Sequence, residues 1–242
     1  MMTKINLTLF RDMPEEGFLS MERYARELLR GLRAGREDLT VREFSIHRTN
    51  FIRPLRPLLR FIPVIKNYAN DRYFSRYFLY PQKVRSVEGE INHVIDHSYG
   101  HLLFRLHPER TVVTCHDLIP LEYEEEAAAL SVFRYSVSGL KLAARIIAVS
   151  EATKNDLISK LNITPSKIRV VAEGVDGRQF QVQSSRFKVE EIRRQYHLPP
   201  GKILLHVGTN LRYKNMENIL KAFQIVLKSG ADAYLLKIGL LS

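Results

Sequence analysis

Short apolar runs alternate with amphipathic stretches along most of the chain, and this alternation limits the fold more than any other feature. The apolar runs have the length of strands, whereas several intervening stretches repeat apolar residues at helical spacing. Alternating strands and helices indicate an α/β fold in which a parallel sheet carries helices on both faces. The predicted strands are 5–10, 41–46, 91–95, 111–115, 145–150 and 167–171, and the predicted helices are 20–32, 127–143 and 151–160.

The pattern stops and then restarts, which divides the chain into two parts. Residues 1–180 read as an N-terminal Rossmann-like domain, and residues 181–200 as a polar linker that includes a short helix. Residues 201–242 then supply a strand, a helix and a strand, the first β-α-β of a second Rossmann-like domain. A domain of this type takes on the order of 150 residues. We therefore expect the second domain to be partial, either completed by a partner chain or cut from a longer protein.

Positive charge is concentrated in one segment. The chain has a formal net charge of +11, which favours an anionic partner such as nucleic acid, a phosphorylated ligand or an anionic lipid. Residues 51–87 form a basic-aromatic insertion with eight basic residues and one acid, Asp71. This insertion is interpreted either as a docking surface for an anionic membrane or as a solvated, partly packed helical insertion. Nucleic acid is an unlikely partner, because the chain has no helix–turn–helix, zinc or RNA-binding signature.

The remaining composition favours a cytoplasmic protein. Cys115 is the single cysteine, so an internal disulfide is impossible. The chain has no apolar run of the roughly 18 residues that a membrane-spanning helix needs, and its N-terminus lacks the apolar region of a signal peptide.

Candidate binding residues follow the predicted strands, where open parallel sheets bind ligands. After the first strand, Gly17 and Ser20 lead into a helix, and Ser20 is its predicted N-cap. A helix start with a nearby glycine can receive a phosphate, although an ordinary loop fits this stretch equally well. After the third strand, His97, Tyr99 and His101 are candidates for binding substrate hydroxyls, or for a loop held by Asp96. A zinc site is not expected, because no cysteine or acidic cluster completes a ligand set.

His116 and Asp117 end the strand 111–115. A serine hydrolase would need a G-x-S-x-G nucleophile elbow, which the chain lacks. We therefore expect His116 to orient a substrate or stabilise charge, and Asp117 to support the turn beside a bound substrate.

A second group of candidates follows the strand at 202–208. Gly208, Thr209, Arg212 and Lys214 lie between this strand and the next helix. A polar turn with two cations before a helix N-terminus is typical of an anion receptor, here a phosphate site.

Three segments resemble the retaining glycosyltransferases of family 4, the group 1 type with the GT-B architecture. They are TVVTCHDLIPL, RIIAVSEATKNDLISKLNITPSKIRVVAEGVD and KILLHVGTNLRYKNMENILKAF, and the resemblance extends over most of the chain outside 51–87. It implies two facing Rossmann-like domains, the first binding an acceptor and the second a nucleotide-diphospho-sugar. It also implies hexose transfer to a glycan, lipid-linked or polysaccharide acceptor with retention of configuration, without a metal or other cofactor.

The resemblance assigns roles by position. His116 matches the family histidine that faces the donor sugar, Gly17 lies in the first loop near the diphosphate, and Lys214 matches a lysine that contacts the diphosphate. The chain departs from the family at Thr209, where arginine is common, and in a first loop without paired glycines. The family's C-terminal acidic motif would lie beyond residue 242, so we expect this chain alone to lack a working donor site.

Two other interpretations stay open from the sequence. One is a non-catalytic binding module for anionic lipid or nucleic acid on a GT-B remnant, and the other is a sugar-nucleotide epimerase of similar fold. The family's middle segment argues against the epimerase.

Overall fold

The computed structural model describes residues 4–50, 71–177 and 186–239. The chain divides into two compact units, Met1–Glu173 and Gly174–Ser242.

The first unit contains a six-stranded parallel sheet, which confirms the α/β class. The strands run in the order β2-β1-β3-β4-β5-β6, and each neighbouring pair is parallel. Their bounds are Ile5–Phe10 (β1), Leu39–Phe44 (β2), Ile91–Val94 (β3), Thr111–Cys115 (β4), Arg145–Ala148 (β5) and Ile168–Val170 (β6).

The strand order reverses between β1 and β3. From β1 the chain moves to one side to form β2, whereas β4, β5 and β6 are added on the other side of β3. Loops that leave the two neighbours in opposite directions open a crevice at the carboxyl ends of the strands, and this edge is the expected ligand site of such a sheet.

Helices connect the strands close to the predicted positions. The predicted helix 20–32 spans Leu19–Gly35. Its N-cap is Phe18, without a side-chain cap, so Ser20 lies inside the first turn and the predicted cap is wrong. The cap predicted at Ser150 is confirmed, since its side chain accepts a hydrogen bond from the Thr153 N–H at 3.0 Å. That helix spans Glu151–Leu161.

The helix predicted at 127–143 ends early. Its α-helical part is Ala127–Ser138, and a 3-10 turn follows at Gly139–Leu142. Here the chain packs closely on the turn that follows β3. A Cβ on Gly139 would lie 2.1 Å from the carbonyl oxygen of Gly100, so another residue would not fit without displacing backbone.

Apolar side chains pack in two clusters. Leu7 and Leu9 belong to the smaller one with Ala25 of the first helix, whereas Phe10 belongs to the larger one. This division follows from the strand itself, because successive side chains point to opposite faces of a sheet. Cys115 is fully buried in the larger cluster.

The second half of the basic-aromatic segment packs into the first unit. Residues 71–83 form two short helices, Asp71–Phe74 and Tyr80–Lys83, joined by a π-helical turn. Arg76 and Tyr80 are buried here, 7% and 0% exposed. These residues belong to the connection that carries the chain from β2 to β3, past β1. For residues 71–87 the structure agrees with the interpretation as a partly packed helical segment, and residues 51–70 lie outside the described residues.

The second unit contains a two-stranded parallel sheet with β7 at Lys202–Val207 and β8 at Ala233–Ile238. Its helices are Arg186–Gln195, within the predicted linker, and Met216–Lys228 between the two strands. The strand ends approach closely, since a Cβ on Gly239 would lie 2.2 Å from the carbonyl oxygen of Gly208. Gly239 also has a φ of +138°, a backbone conformation that side chains disfavour.

Candidate active site

His116 lies at the carboxyl edge of the first sheet, and its side chain is largely buried. It follows β4 directly, and its ring nitrogens both have partners. Nε2 lies 3.0 Å from the carbonyl oxygen of Ile95, and Nδ1 lies 2.8 Å from a carboxylate oxygen of Glu173. Both partners can accept hydrogen bonds, so each ring nitrogen of His116 faces an acceptor.

The two partners of His116 differ in exposure. Ile95 is buried, at 1% exposed. The Glu173 side chain is 49% exposed, whereas that of His116 is only 9% exposed. The Nε2 side therefore faces the protein interior, and the Nδ1 side is the one next to solvent.

The backbone and ring of His116 are fixed by neighbouring elements. Its carbonyl oxygen accepts a hydrogen bond from the Thr153 hydroxyl at 3.1 Å. The His116 and Tyr24 rings pack edge to face, with their centroids 4.8 Å apart. Tyr24 is itself held through a 3.1 Å contact between its hydroxyl and the hydroxyl of Thr114. Helices on both sides of the strand end thus position the histidine.

His97 is the predicted site residue that the structure brings closest to His116. Their ring centroids are 6.2 Å apart, and the His116 N–H lies 3.3 Å from Nδ1 of His97. The same nitrogen lies 3.1 Å from a carboxylate oxygen of Asp96. The ends of β3 and β4 therefore place two histidines side by side.

Asp96 is paired with a second carboxyl group, Asp12, from the loop after β1. Both carboxyl oxygens of Asp12 are buried without a hydrogen-bond partner among the described residues. Burial, together with the charge of Asp96, raises the pKa of Asp12 to about 9. Burial acts in the same direction on Asp96, but His97 and hydrogen bonds from Ser98 outweigh it and hold the pKa of Asp96 well below its ordinary value. At neutral pH the two groups therefore carry one negative charge between them.

A buried ion pair ties the loop after β1 to the 71–83 segment. Nη1 of Arg76 donates to both carboxylate oxygens of Glu16 at 2.9 Å, and Nη2 donates to the carbonyl oxygen and hydroxyl of Ser98. The Arg76 and Glu16 side chains are 8% and 1% exposed. Burial lowers the pKa of an arginine, but the surrounding tyrosines and acids outweigh it and raise the pKa of Arg76 above its ordinary value. The pair fixes the shape of the strand edge.

Tyr99 and His101, two predicted substrate-binding residues, lie inside the domain. Each is 1% exposed. The Tyr99 hydroxyl accepts a hydrogen bond from the Met13 N–H at 3.0 Å, and Nε2 of His101 lies 2.9 Å from the carbonyl oxygen of Arg76. Burial and the charge of Arg76 lower the pKa of His101 to about 3. These contacts give both residues a structural role in place of the expected substrate contact, because their polar atoms are directed to the protein.

The other predicted residues of the first unit lie in turns. Gly17 ends the 3-10 turn Pro14–Glu16 with a φ of +68°, and its N–H donates to the carbonyl oxygen of Pro14. Ser20 is exposed in the first turn of the following helix. Asp117 accepts a hydrogen bond from the Ile119 N–H at 3.0 Å, so it supports the turn after His116.

A small cavity of about 80 Å³ lies beside the loop after β1. Arg11, Met13, Phe18, Ser45 and Ile95 are among the residues that line it. The cavity therefore lies between the ends of β1 and β2 and the start of the first helix, on the crevice side of the sheet.

The predicted phosphate-binding residues of the second unit follow β7. Gly208 donates its N–H to the carbonyl oxygen of Ile238 at 2.8 Å, and a Cβ on Gly208 would lie 4.0 Å from the Lys214 side chain. Arg212 and Lys214 belong to one 3-10 turn. Nζ of Lys214 lies 5.2 Å from the centroid of the Tyr213 ring. Thr209 lies half-buried next to Gly208, so the turn gathers all four predicted residues close to the strand end.

Sequence reasoning missed four residues of the first unit's strand edge: Asp12, Glu16, Tyr24 and Glu173. Asp12 carried a signal, since it follows β1 as His116 follows β4. Glu173 carried little, because its contact with His116 spans 57 residues and joins strand ends that are not neighbours.

The described ranges contain neither a candidate membrane span nor a candidate metal-binding cluster. Within 4–50, 71–177 and 186–239, no helix is long and apolar enough to cross a membrane. The same residues contain no group of three or more histidine, cysteine or acidic side chains placed to hold a metal ion.

Comparison with known proteins gives one family and two curated relatives. A model of Glycosyltransferase Family 4 matches residues 21–179. Two proteins named serotype-specific mannosyltransferase WbdA, both from Escherichia coli, are 27% identical to the chain over 124 residues, which is 49% of the chain. The match spans only 15% and 14% of the length of these relatives.

One solved structure overlaps with most of the chain. The crystal structure of a glycosyltransferase from Rickettsia africae ESF-5 aligns with 98% of this chain and 69% of its own, at 15% identity and a TM-score of 0.44.

Proposed function

The chain belongs to glycosyltransferase family 4, and from this membership we propose that it takes part in transferring a hexose from a nucleotide-diphospho-sugar to a glycan, lipid-linked or polysaccharide acceptor, with retention of configuration. The observation that carries the proposal is the family match over 21–179, which includes His116 and its partner Glu173 at the carboxyl edge of a parallel sheet.

The geometry of His116 supports a role in orienting substrate. A retaining transfer needs groups that orient the sugar and stabilise charge as the bond to the diphosphate breaks. The His116 ring packs against Tyr24 and its backbone is held by Thr153, so the side chain is fixed in place before substrate arrives. The cost of orienting it therefore does not fall on the reaction itself.

The hexose that we propose is mannose. Both curated relatives are named serotype-specific mannosyltransferases, and serotype specificity supports a polysaccharide acceptor. Acceptor binding is assigned to the first unit, in the crevice next to His97 and His116.

The leaving diphosphate is assigned to the turn after β7. Arg212 and Lys214 bring two positive charges to this turn, and Gly208 leaves room for the close approach of a phosphate. These cations would balance the diphosphate charge, so we propose that no metal cofactor is required.

A location at the cytoplasmic face of a membrane is also part of the proposal, because it would bring the protein to a lipid-linked acceptor. Three aromatic side chains are exposed by 53%, 44% and 49%: Phe78, Phe104 and Tyr135. Arg105, which follows Phe104, and Arg134, which precedes Tyr135, are exposed as well. Interfacial aromatic and basic side chains of this kind favour reversible contact with anionic lipid. The alternative of a non-catalytic binding module is not favoured, since the family match includes the carboxyl ends of β2 to β6.

Because this chain alone is expected to lack a working donor site, the test is a transfer assay with residues 1–200 fused to the complete donor-binding domain of a family 4 mannosyltransferase. GDP- and UDP-linked hexoses and mannose-containing oligosaccharide acceptors are supplied, and products are read by mass spectrometry. We expect mannose to be added from one donor, with the α-configuration retained in the product by NMR. His116→Gln should reduce transfer at least about tenfold, because it removes a positioned imidazole ring. The matched control is His107→Gln, another histidine paired with a glutamate but exposed and remote from the strand edge. Equal transfer by both variants, or no donor consumed with any acceptor, would contradict the proposal.

A further inference from the structure

A groove between two helices lies on one face of the first sheet. It encloses about 620 Å³, a volume typical of binding sites. Its walls are the helices Ala127–Ser138 and Glu151–Leu161, with the short helix Pro120–Tyr123 beside them. Most of its lining residues belong to the last turns of the two longer helices, which return the chain to the starts of β5 and β6. The groove is therefore separate from the carboxyl edge that carries His116.

The groove has apolar side chains in its lining. Val137 is buried, at 1% exposed, and belongs to the larger apolar cluster. Leu121 and Leu161 are half-buried and pack against the same cluster. An occupant with apolar side chains would remove the rest of this surface from water, which favours binding.

Two cations of the groove are available to a partner. The side chains of Arg134 and Lys141 are exposed and form neither a hydrogen bond nor an ion pair within the part of the chain that the structure describes. A third cation, Lys160, is already neutralised, because its Nζ lies 2.5 Å from a carboxylate oxygen of Glu122 and 2.9 Å from one of Asp156. The groove therefore has an excess of positive charge, and a complementary occupant is acidic.

The spacing of the two available cations favours an elongated occupant. Arg134 and Lys141 are seven residues apart, one in the helix Ala127–Ser138 and the other in the 3-10 turn that follows it. Seven residues of helix rise by roughly 10–12 Å. This separation suits two acidic contacts better than a single phosphate group. An amphipathic helix with acids seven residues apart has the same spacing, and its i+3 and i+4 side chains would face the apolar lining.

We propose that this groove is a docking site for an acidic amphipathic helix of a partner protein. A second copy of this chain is a poor occupant, because its net charge of +11 would repel a basic groove. The inference goes beyond the proposed function, since docking here leaves the catalytic edge open and recruits the protein to a partner.

The probe is a stapled helical peptide of about 15 residues, long enough to extend over the groove. It has glutamates at positions i and i+7, leucines at i+3 and i+4, and alanine and glutamine elsewhere. Binding to the full chain is measured by fluorescence anisotropy. A second peptide with glutamine in place of both glutamates is the matched probe, and we expect it to bind about five- to tenfold more weakly.

Substitutions in the protein should give the same loss. Arg134→Gln combined with Lys141→Gln should raise the Kd for the acidic peptide by about five- to tenfold. The matched control is Lys4→Gln with Arg110→Gln, which removes the same charge from exposed positions outside the groove and should leave the Kd unchanged.

A charge exchange separates docking in the groove from general attraction to a basic protein. Arg134→Glu with Lys141→Glu should prefer a peptide with lysines at i and i+7, although the variant as a whole stays basic. If this variant still prefers the acidic peptide, or if the control variant loses as much affinity as the groove variant, the inference is overturned.

Vesicles test the competing occupant, because Arg134 is also part of the proposed membrane contact. They contain phosphatidylglycerol and phosphatidylcholine. If the two groove substitutions to glutamine abolish vesicle binding and leave peptide binding unchanged, the groove serves a membrane and the inference is overturned. The transfer assay is independent of these results: failure of the peptide to bind would leave mannose transfer standing, and failure of transfer would leave the docking site standing.

Discussion

Replacing Asp12 by asparagine should change how stability depends on pH. Asp12 is buried next to Asp96, and this environment raises its pKa from 3.8 to about 9. In the unfolded chain the same carboxyl group has its ordinary pKa. A group whose folded pKa is raised contributes stability that is fully present below its unfolded pKa and is lost as pH rises towards its folded pKa. The affected window therefore runs from about pH 4 to about pH 9.

The size of the effect follows from the proton count of the pair. Within the window the folded Asp12–Asp96 pair holds one proton, whereas the unfolded pair holds none. One proton of difference corresponds to about 1.4 kcal/mol for each pH unit. Between pH 5 and 7 the free energy of unfolding should thus fall by about 3 kcal/mol, or several degrees in Tm.

Two buried histidines act in the opposite direction and must be separated. Burial lowers the pKa of His93 to about 4 and that of His101 to about 3. They add stability as pH rises towards their ordinary pKa of 6.5. Both histidines are present in the two proteins, so their effect cancels in the difference between the unmodified protein and Asp12→Asn.

The assay is urea unfolding of both proteins across pH 5–8, followed by circular dichroism. The unmodified protein should lose stability with pH relative to Asp12→Asn, because asparagine stays neutral. The control is Asp38→Asn, since Asp38 is fully exposed and its pKa is lowered by hydrogen bonding to Arg36. Parallel pH profiles for the unmodified protein and Asp12→Asn would refute the buried, shared proton.

Two further substitutions test the ion pair and the glycine contact. Arg76→Ala should lower the free energy of unfolding by about 3–5 kcal/mol, because it removes the principal partner of a buried Glu16 carboxylate. In a double-mutant cycle with Glu16→Gln, followed by thermal unfolding, the double variant should lose less stability than the sum of the two single variants. Additive losses would contradict the pairing. Gly239→Ala should destabilise the second unit by more than about 1 kcal/mol in hydrogen exchange, because the new Cβ meets the carbonyl of Gly208. Gly230→Ala, also at positive φ but with nothing within 4 Å, is the control and should cost less.

Local patterns were sufficient to predict the strands. The strand predicted at 111–115 has the same bounds in the structure, because a buried strand bounded by polar residues is a local signal. The cap at Ser150 is equally local. The early end of the helix at Ser138 is not, since it depends on the contact between Gly139 and Gly100, which are far apart in sequence.

The candidate site was predicted in part for the same reason. His97 and His116 each follow a strand, and parallel strands bring their carboxyl ends to one edge, so their proximity follows from the fold. Tyr99 and His101 follow the same strand as His97, but the 3-10 turn His97–Phe104 directs them inward. A sequence pattern does not record which way such a turn faces.

Charge composition was the poorest predictor of which residues are exposed. Arg76 lies in a segment rich in basic residues, which favours a solvated or membrane-facing surface, yet it is buried with Glu16 from the loop after β1. The acid that neutralises it is 60 residues away, so a count over the segment cannot include it.

Because Cys115 is buried, its reaction with a thiol reagent reports local opening of the protein. The thiol belongs to the larger apolar cluster at the end of β4, and burial raises its pKa. An alkylating reagent needs an accessible thiolate, so it can react only when the packing over this face of the sheet opens. Because the chain has one cysteine, every modified molecule is labelled at this position. The rate of modification therefore measures how often the larger cluster opens, without any engineered label.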